Sequence, residues 1–192
     1  DIIVTDTKGA IFDGRIDIDN QNPYKMEISI NTNFRKMSGT LTEVIRKSDV
    51  FIGVSGKSSI LNKQMIESMN KNAIVFALSN PDPEIIPNKA LEYGATIVAT
   101  GRSDFSNQIN NAVVFPSVFR ALLDLRANNL SEFMLVSVAR AIASIVEDIH
   151  LRNDYIIPKV DDPRILPIVT KTIKRMLRKH IKKTILSGHI EN

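Results

Sequence analysis

Four short apolar runs, rich in β-branched residues, recur along the chain at Ile2–Val4, Val50–Val54, Ile74–Leu78 and Ile97–Ala99. Each is nearly continuous rather than alternating, the pattern of strands buried on both faces of a parallel sheet, so all four are expected as interior strands. Between them, apolar residues recur at helical spacing over Leu41–Lys47, Asn62–Met69 and Asn88–Tyr93, the last followed by Gly94 as a C-terminal cap. Strand-length runs alternating with helices imply βαβ crossovers, hence an α/β, doubly wound parallel sheet with helices on both faces.

After Thr100 the strand signals fade. Asn111–Ala127 and Ser131–Glu147 read as two helices broken at Asn128 and Asn129, expected to pack on the sheet. Tyr155–Pro158 reads as an extended link, and Asp161, Asp162 and Pro163 offer a cap and a first-turn proline to a final helix. Pro167 conflicts with that start: either the helix begins after it or its first turns are kinked. Tyr24 and Lys25 could form an acid and base pair, but on one strand they would point to opposite faces, so packing roles are expected.

With 192 residues, 43% of them hydrophobic, the chain can bury one substantial core, and a single domain over 1–192 is expected. No apolar run approaches a membrane span, and the opening DIIVTD lacks the basic flank and cleavage pattern of a signal peptide. A soluble, cytoplasmic protein without a membrane partner is expected. The absence of cysteine excludes disulfides and thiolate chemistry. The net charge of +4 is mostly local to KTIKRMLRKHIKK, whose lysines and arginines alternate with Ile173, Met176, Leu177 and Ile181 at helical spacing. That is an amphipathic helix with a solvated basic face, and without stacking aromatics no nucleic-acid partner is expected.

In doubly wound sheets ligands bind at the carboxyl ends of the strands. After the apolar runs stand Asp6, Lys8 and Gly9; Ser55 and Gly56; Asn80 and Pro81; and Gly101, Arg102, Ser103 and Asp104. Asp6 is either an acceptor for adenosine ribose hydroxyls or a plain turn residue. Asn80, entering NPDPEIIP, either donates to a carboxylate while accepting from a hydroxyl, or merely starts a turn. Asn110 and Asn111 precede an apolar helix, and only one of them can be its cap. His150, His180 and His189 have no metal-ligand spacing. Among the 8 glycines no G-x-G-x-x-G occurs, so the chain is expected to open on the second strand of a Rossmann-type fold, lacking its first strand and glycine-rich turn.

VTDTKGAIFDGR, DVFIGVS, IVFALSNPDPEI, GATIVATGRSDFSNQINNAVVFPSVFR and IIPKVDDPRI resemble, in order, blocks of the malic enzyme NAD(P)-binding domain in its shorter bacterial and archaeal form. The likeness is densest from Asp49 to Leu125. It implies a partial NAD(P)-binding domain over 1–192, from an enzyme that oxidises malate and decarboxylates it to pyruvate and CO2. NAD is the expected cofactor, with NADP as the alternative, together with a divalent Mg2+ or Mn2+. By this resemblance Asp6, with Lys8 nearby, would meet the adenosine ribose and Ser55 and Gly56 would line the cofactor. Asn80 would contact nicotinamide ribose and substrate, and Asn110 with Asn111 would reach malate. The family's base Lys, acid Tyr, acidic metal ligands and glycine-rich turn would lie upstream, leaving this chain inactive alone and the whole protein a homodimer or higher oligomer. Ser117 stands where the family usually has glycine. The alternatives are a non-catalytic Rossmann-type binding or assembly module and another NAD(P)-dependent dehydrogenase.

Overall fold

The structure, a computed structural model, describes residues 1–18 and 22–186, with side chains as far as Arg178. It divides into two compact units, Asp1–Val98 and Ala99–Asn192.

In the first unit, β1 (Thr5–Asp6) and β2 (Gly9–Ala10) form a small antiparallel hairpin. Gly9 closes it with φ +105°, where a Cβ would fall 2.4 Å from the Gly39 carbonyl oxygen. Helix α1 (Pro23–Asn31) follows, its first turn capped by Asn22, whose Oδ1 accepts from the Lys25 N–H at 3.1 Å. Behind it Asn33 is buried at φ +51°, donating to the Ile11 and Met37 carbonyls and accepting from the Met37 N–H. Three parallel strands then alternate with short helices: α2 (Leu41–Val44), β3 (Val50–Gly53), α3 (Lys63–Glu67), β4 (Ile74–Ala77), α4 (Pro87–Glu92) and β5 (Ile97–Thr100). The sheet order is β3-β4-β5, with Val50 opposite Ile74 and Gly53 opposite Ala77, and the boundary between the units falls within β5. Phe51, Val75, Ala77 and Val98 form the core with Leu61, Met65, Ile66 and Met69. Each large apolar side chain so buried contributes roughly 1.5–3 kcal/mol.

The parallel α/β architecture is as expected, but several elements differ. Ile2–Val4 is not an interior strand; the Val4 carbonyl accepts from the Ile11 N–H across the hairpin instead. Strand β3 ends the sheet order, and its burial alternates: Phe51 and Gly53 face the core while Val50 and Ile52 share the opposite sheet face and are exposed. Tyr24 and Lys25 lie on a helix, and Tyr24 is exposed rather than packed. Gly94 does close α4, with φ +106°.

The second unit has its own core. A 3-10 turn over Asn111–Val113 leads into α5 (Phe115–Asp124), which starts as an α-helix where Pro116 supplies no N–H; α6 (Glu132–Ala143) and α7 (Ile165–Leu186) follow. Ser131 caps α6 by accepting from the Met134 N–H at 3.3 Å. Helix α7 packs against α5 and α6, burying Val169 and Ile173 completely among Val113, Val118, Val138 and Ile142. It begins at Ile165, so Pro167 sits in the first turn, where its missing donor would have had no intrahelical partner. Lys171, Lys174, Arg175 and Arg178 are exposed together on α7, as the amphipathic pattern requires. The side chains of Lys179, His180, Lys182 and Lys183, and all of His189, lie outside the described residues.

Candidate functional site

Two loops leave the carboxyl ends of neighbouring strands, Ser55–Gly56 after β3 and Ser79–Asn80 after β4, and one buried carboxylate joins them. Glu84 is 0% exposed. Its Oε1 accepts from the Ser55 N–H at 3.2 Å, the Ser55 Oγ at 3.1 Å and the Ser79 Oγ at 2.5 Å, while Oε2 accepts from the Ser79 N–H at 3.1 Å. Burial pushes this carboxyl up, but the bonds from the Ser79 side chain and backbone and from the Ser55 N–H outweigh it and hold Glu84 below the ordinary glutamate value. Space for the carboxylate comes from Gly53, where a Cβ would lie 2.4 Å from the Glu84 Cδ. Above this floor Ser55, Gly56 and Asn80 are exposed, and among the described residues no hydrogen bond involves the Asn80 side chain. At Gly56, with φ +68°, a Cβ would meet nothing within 4 Å, so the loop leaves open room.

Asp6, also in the first unit, lies in a dense ionic cluster. Arg15 grips it with two nitrogens, at 3.0 Å to Oδ1 and 2.6 Å to Oδ2; Lys25 reaches Oδ2 at 2.6 Å and the Lys8 N–H reaches Oδ1 at 2.9 Å. The Arg15 guanidinium, chiefly, with Lys25 and the Lys8 N–H, holds this carboxyl far below the usual range against the opposing effect of burial. A carboxylate offers about four lone-pair sites, and all four are in use. The Lys8 side chain turns to Asp17 at 3.1 Å.

In the second unit Asn110 is the cap of the 3-10 turn: its Oδ1 accepts from the Ala112 N–H at 2.9 Å and its Nδ2 donates to the Gly101 carbonyl at 3.0 Å. Asn111 is exposed, and no hydrogen bond of its side chain occurs among the described residues. Asn107, buried at φ +55°, donates to the Asn153 carbonyl at 2.8 Å and accepts from the Ile156 N–H at 2.9 Å, tying the loop after β5 to the segment before Pro158. Arg102 and Asp104 pair at 2.7 Å.

Comparison with known proteins decides the family. A model of the malic enzyme NAD-binding domain matches residues 1–176. The chain belongs to the malic enzyme family. It is 46% identical over 175 residues to the bifunctional malic/malolactic enzyme of Bacillus subtilis, covering 91% of this chain and 42% of that protein. It is 42% identical to the NAD-dependent malic enzyme of Geobacillus stearothermophilus, covering 90% and 35%. Among solved structures, the malic enzyme of Entamoeba histolytica superposes with a TM-score of 0.81 at 33% identity, over 98% of this chain and 45% of its own. The chain thus spans about two fifths of the length of the curated relatives it matches.

The part of the family that the chain matches is its NAD-binding domain. Among the described residues no group of three or more His, Asp and Glu side chains could hold a metal ion. The sequence does not single out Glu84 or Arg15 as site-building residues. A glutamate among the prolines of NPDPEIIP and a glycine ending an apolar strand are the available hints for the first, Arg15 carries no local signal, and Asn107 lies in the conspicuously polar stretch from Arg102 to Asn111.

Proposed function

We propose that this chain supplies the cofactor-binding and substrate-positioning portion of an enzyme that oxidises malate with NAD(P) and decarboxylates the product to pyruvate and CO2. One observation carries the reading: Asn80, with no side-chain partner among the described residues, stands exposed at the end of β4 on a loop fixed from below by Glu84. The bound dinucleotide would supply the hydride acceptor. Around it, Ser55 and Gly56 line one side, and the Asn80 amide orients substrate by donating from Nδ2 to a carboxylate and accepting at Oδ1 from a hydroxyl. Asn111 supplies a second amide toward malate, with Asn110 holding its turn. None of these groups changes its protonation state, so the role is positioning. The proton-transferring lysine and tyrosine and the ligands of Mg2+ or Mn2+ are proposed to lie outside this chain.

NAD is the proposed cofactor, with NADP accepted less well. Asp6 would stand near the adenosine ribose and act by charge, since its acceptor sites are taken by Arg15, Lys25 and the Lys8 N–H; its negative charge opposes a 2′-phosphate, but pairing with Arg15 and Lys25 weakens that opposition. The whole protein is proposed to be a cytoplasmic homodimer or higher oligomer. The absence of cysteine agrees with the compartment, and the exposed Phe115, Phe119 and Leu123, four residues apart along α5, support an assembly surface. The decisive test is Asn80→Ala in the full-length protein, expected to lower kcat/KM for malate by roughly one to three orders of magnitude. Unchanged kinetics would defeat the assignment.

A further inference from the structure

Glu84 cannot touch a ligand, since none of its surface reaches solvent, yet the bonds its carboxylate accepts from Ser55 and Ser79 come from loops expected to face one. The two loops are remote in sequence, with Ser79 five residues from Glu84 and Ser55 twenty-nine. The carboxylate bridges them through bonds from both loops, beside one direct bond from the Gly56 N–H to the Ser79 Oγ at 2.9 Å, while the Ser55 Oγ to Ser79 Oγ approach is a weak 3.4 Å.

The bridge also fixes the direction of the protons. An ionised carboxylate only accepts, so the Ser79 hydroxyl must donate to Glu84 and turn a lone pair outward. That lone pair takes the Gly56 N–H at 2.9 Å. The Ser55 N–H is likewise committed to Glu84. Both backbone donors at residues 55 and 56 therefore face into the protein, and what this loop shows to solvent is the Cα face of Gly56 with open space beside it. A phosphate needs outward N–H groups. A ribose or an aromatic ring needs a flat surface that lets it approach closely.

We propose that Glu84 is a positioning residue, an anionic clamp that sets the separation of the Ser55–Gly56 and Ser79–Asn80 loops so that they receive the nicotinamide nucleoside end of the cofactor and not its phosphates. This rests on the reading of the strand ends as the dinucleotide site. Replacing Glu84 by Gln keeps the shape but sets an amide where a carboxylate oxygen was, so one inward donor meets another donor and the clamp opens.

The test uses the full-length protein, NADH titration by fluorescence, and steady-state kinetics in the cofactor. Glu84→Gln is expected to raise the NADH dissociation constant and the cofactor KM about tenfold or more. Ser79→Ala, which strands the Gly56 N–H, is expected to raise them roughly three- to tenfold. The double variant should resemble Glu84→Gln alone, because both changes break one clamp. A residue that only supports the fold would lower the melting temperature and leave the NADH dissociation constant of folded protein untouched. Binding that stays within twofold of wild type in folded Glu84→Gln overturns the clamp, as do effects of the two changes that multiply independently. Should Glu84→Gln not fold, unchanged binding by Ser79→Ala overturns it equally. Wild-type protein that binds neither NAD(H) nor NADP(H) overturns the functional reading, and this inference with it.

Discussion

Gly53→Ala places one methyl group against the clamp, and its cost can be worked from the geometry. Gly53 has no left-handed backbone, so the glycine is there for space. The added Cβ would lie 2.4 Å from the Glu84 Cδ, 2.5 Å from Oε1 and 2.8 Å from Cγ. Those atoms cannot swing aside at little cost, because the carboxylate is fully buried and held by bonds from Ser55 and Ser79. Overpacking costs typically about 1–3 kcal/mol. A hydrogen bond lost by a buried charged group adds about 1.5–3 kcal/mol. One such bond broken gives a loss of roughly 2.5–6 kcal/mol, a large share of the roughly 5–15 kcal/mol that stabilises a typical domain. Urea denaturation of the full-length protein would read it as a lower midpoint at unchanged slope. In a Glu84→Ala background the same methyl enters vacated space, so Gly53→Ala should there cost under about 1 kcal/mol. A single-variant loss below about 0.5 kcal/mol, or an equal loss in both backgrounds, would show that the steric account is wrong.

Asp6→Asn removes the counter-ion of Arg15, whose side chain is only 10% exposed, and should destabilise the protein by about 3 kcal/mol in urea unfolding. Because the folded-state carboxyl is held below its ordinary value, its contribution is complete above about pH 5 and is lost as the pH falls through about 4 and below. Wild type should therefore lose stability over that range more steeply than Asp6→Asn, and parallel pH profiles would exclude the ion cluster as the source. Asn107→Ala strands the Ile156 N–H and the Asn153 carbonyl and puts alanine at φ +55°, for a loss of about 3 kcal/mol and faster proteolysis around residues 150–160. Cleavage at the wild-type rate would contradict it. Steady-state kinetics of the full-length protein should show kcat/KM for NAD above that for NADP, but by less than about a hundredfold, given the pairing of Asp6; a clear NADP preference would refute the choice of NAD.

The central strands were legible because β-branched runs at residues 50, 74 and 97 are short, continuous and bounded by polar turns. Ile2–Val4 has the same composition and is no interior strand, since composition reports burial tendency and not which neighbour supplies the ladder. Helix α1 is hard to read from the sequence although Asn22 and Pro23 form a good start, because Tyr24, Ile28 and Ile30 do not make a clear apolar face. Asn80 and Asn111 could be singled out as polar residues at element ends, and Asn110 as a rival cap. Glu84 could not be. In sequence it is one acid in a proline-rich loop, and its burial depends on Gly53 and Ser55 about thirty positions earlier. Asp6 was visible, while its saturation by Arg15 and Lys25 depends on how the hairpin and α1 fold back on each other.

The outer edge of β3 has a practical side. Val50, Ile52 and Val54 line one face of the sheet beside it at 45%, 59% and 77% exposure, and among the described residues no strand occupies that edge. Unpaired backbone beside exposed β-branched side chains is a template for another strand. Residues 1–192 expressed by themselves would carry that open edge, and pairing of one copy with another through β3 is the route by which they would aggregate. A charged substitution at Ile52 is the natural first remedy for anyone purifying the segment.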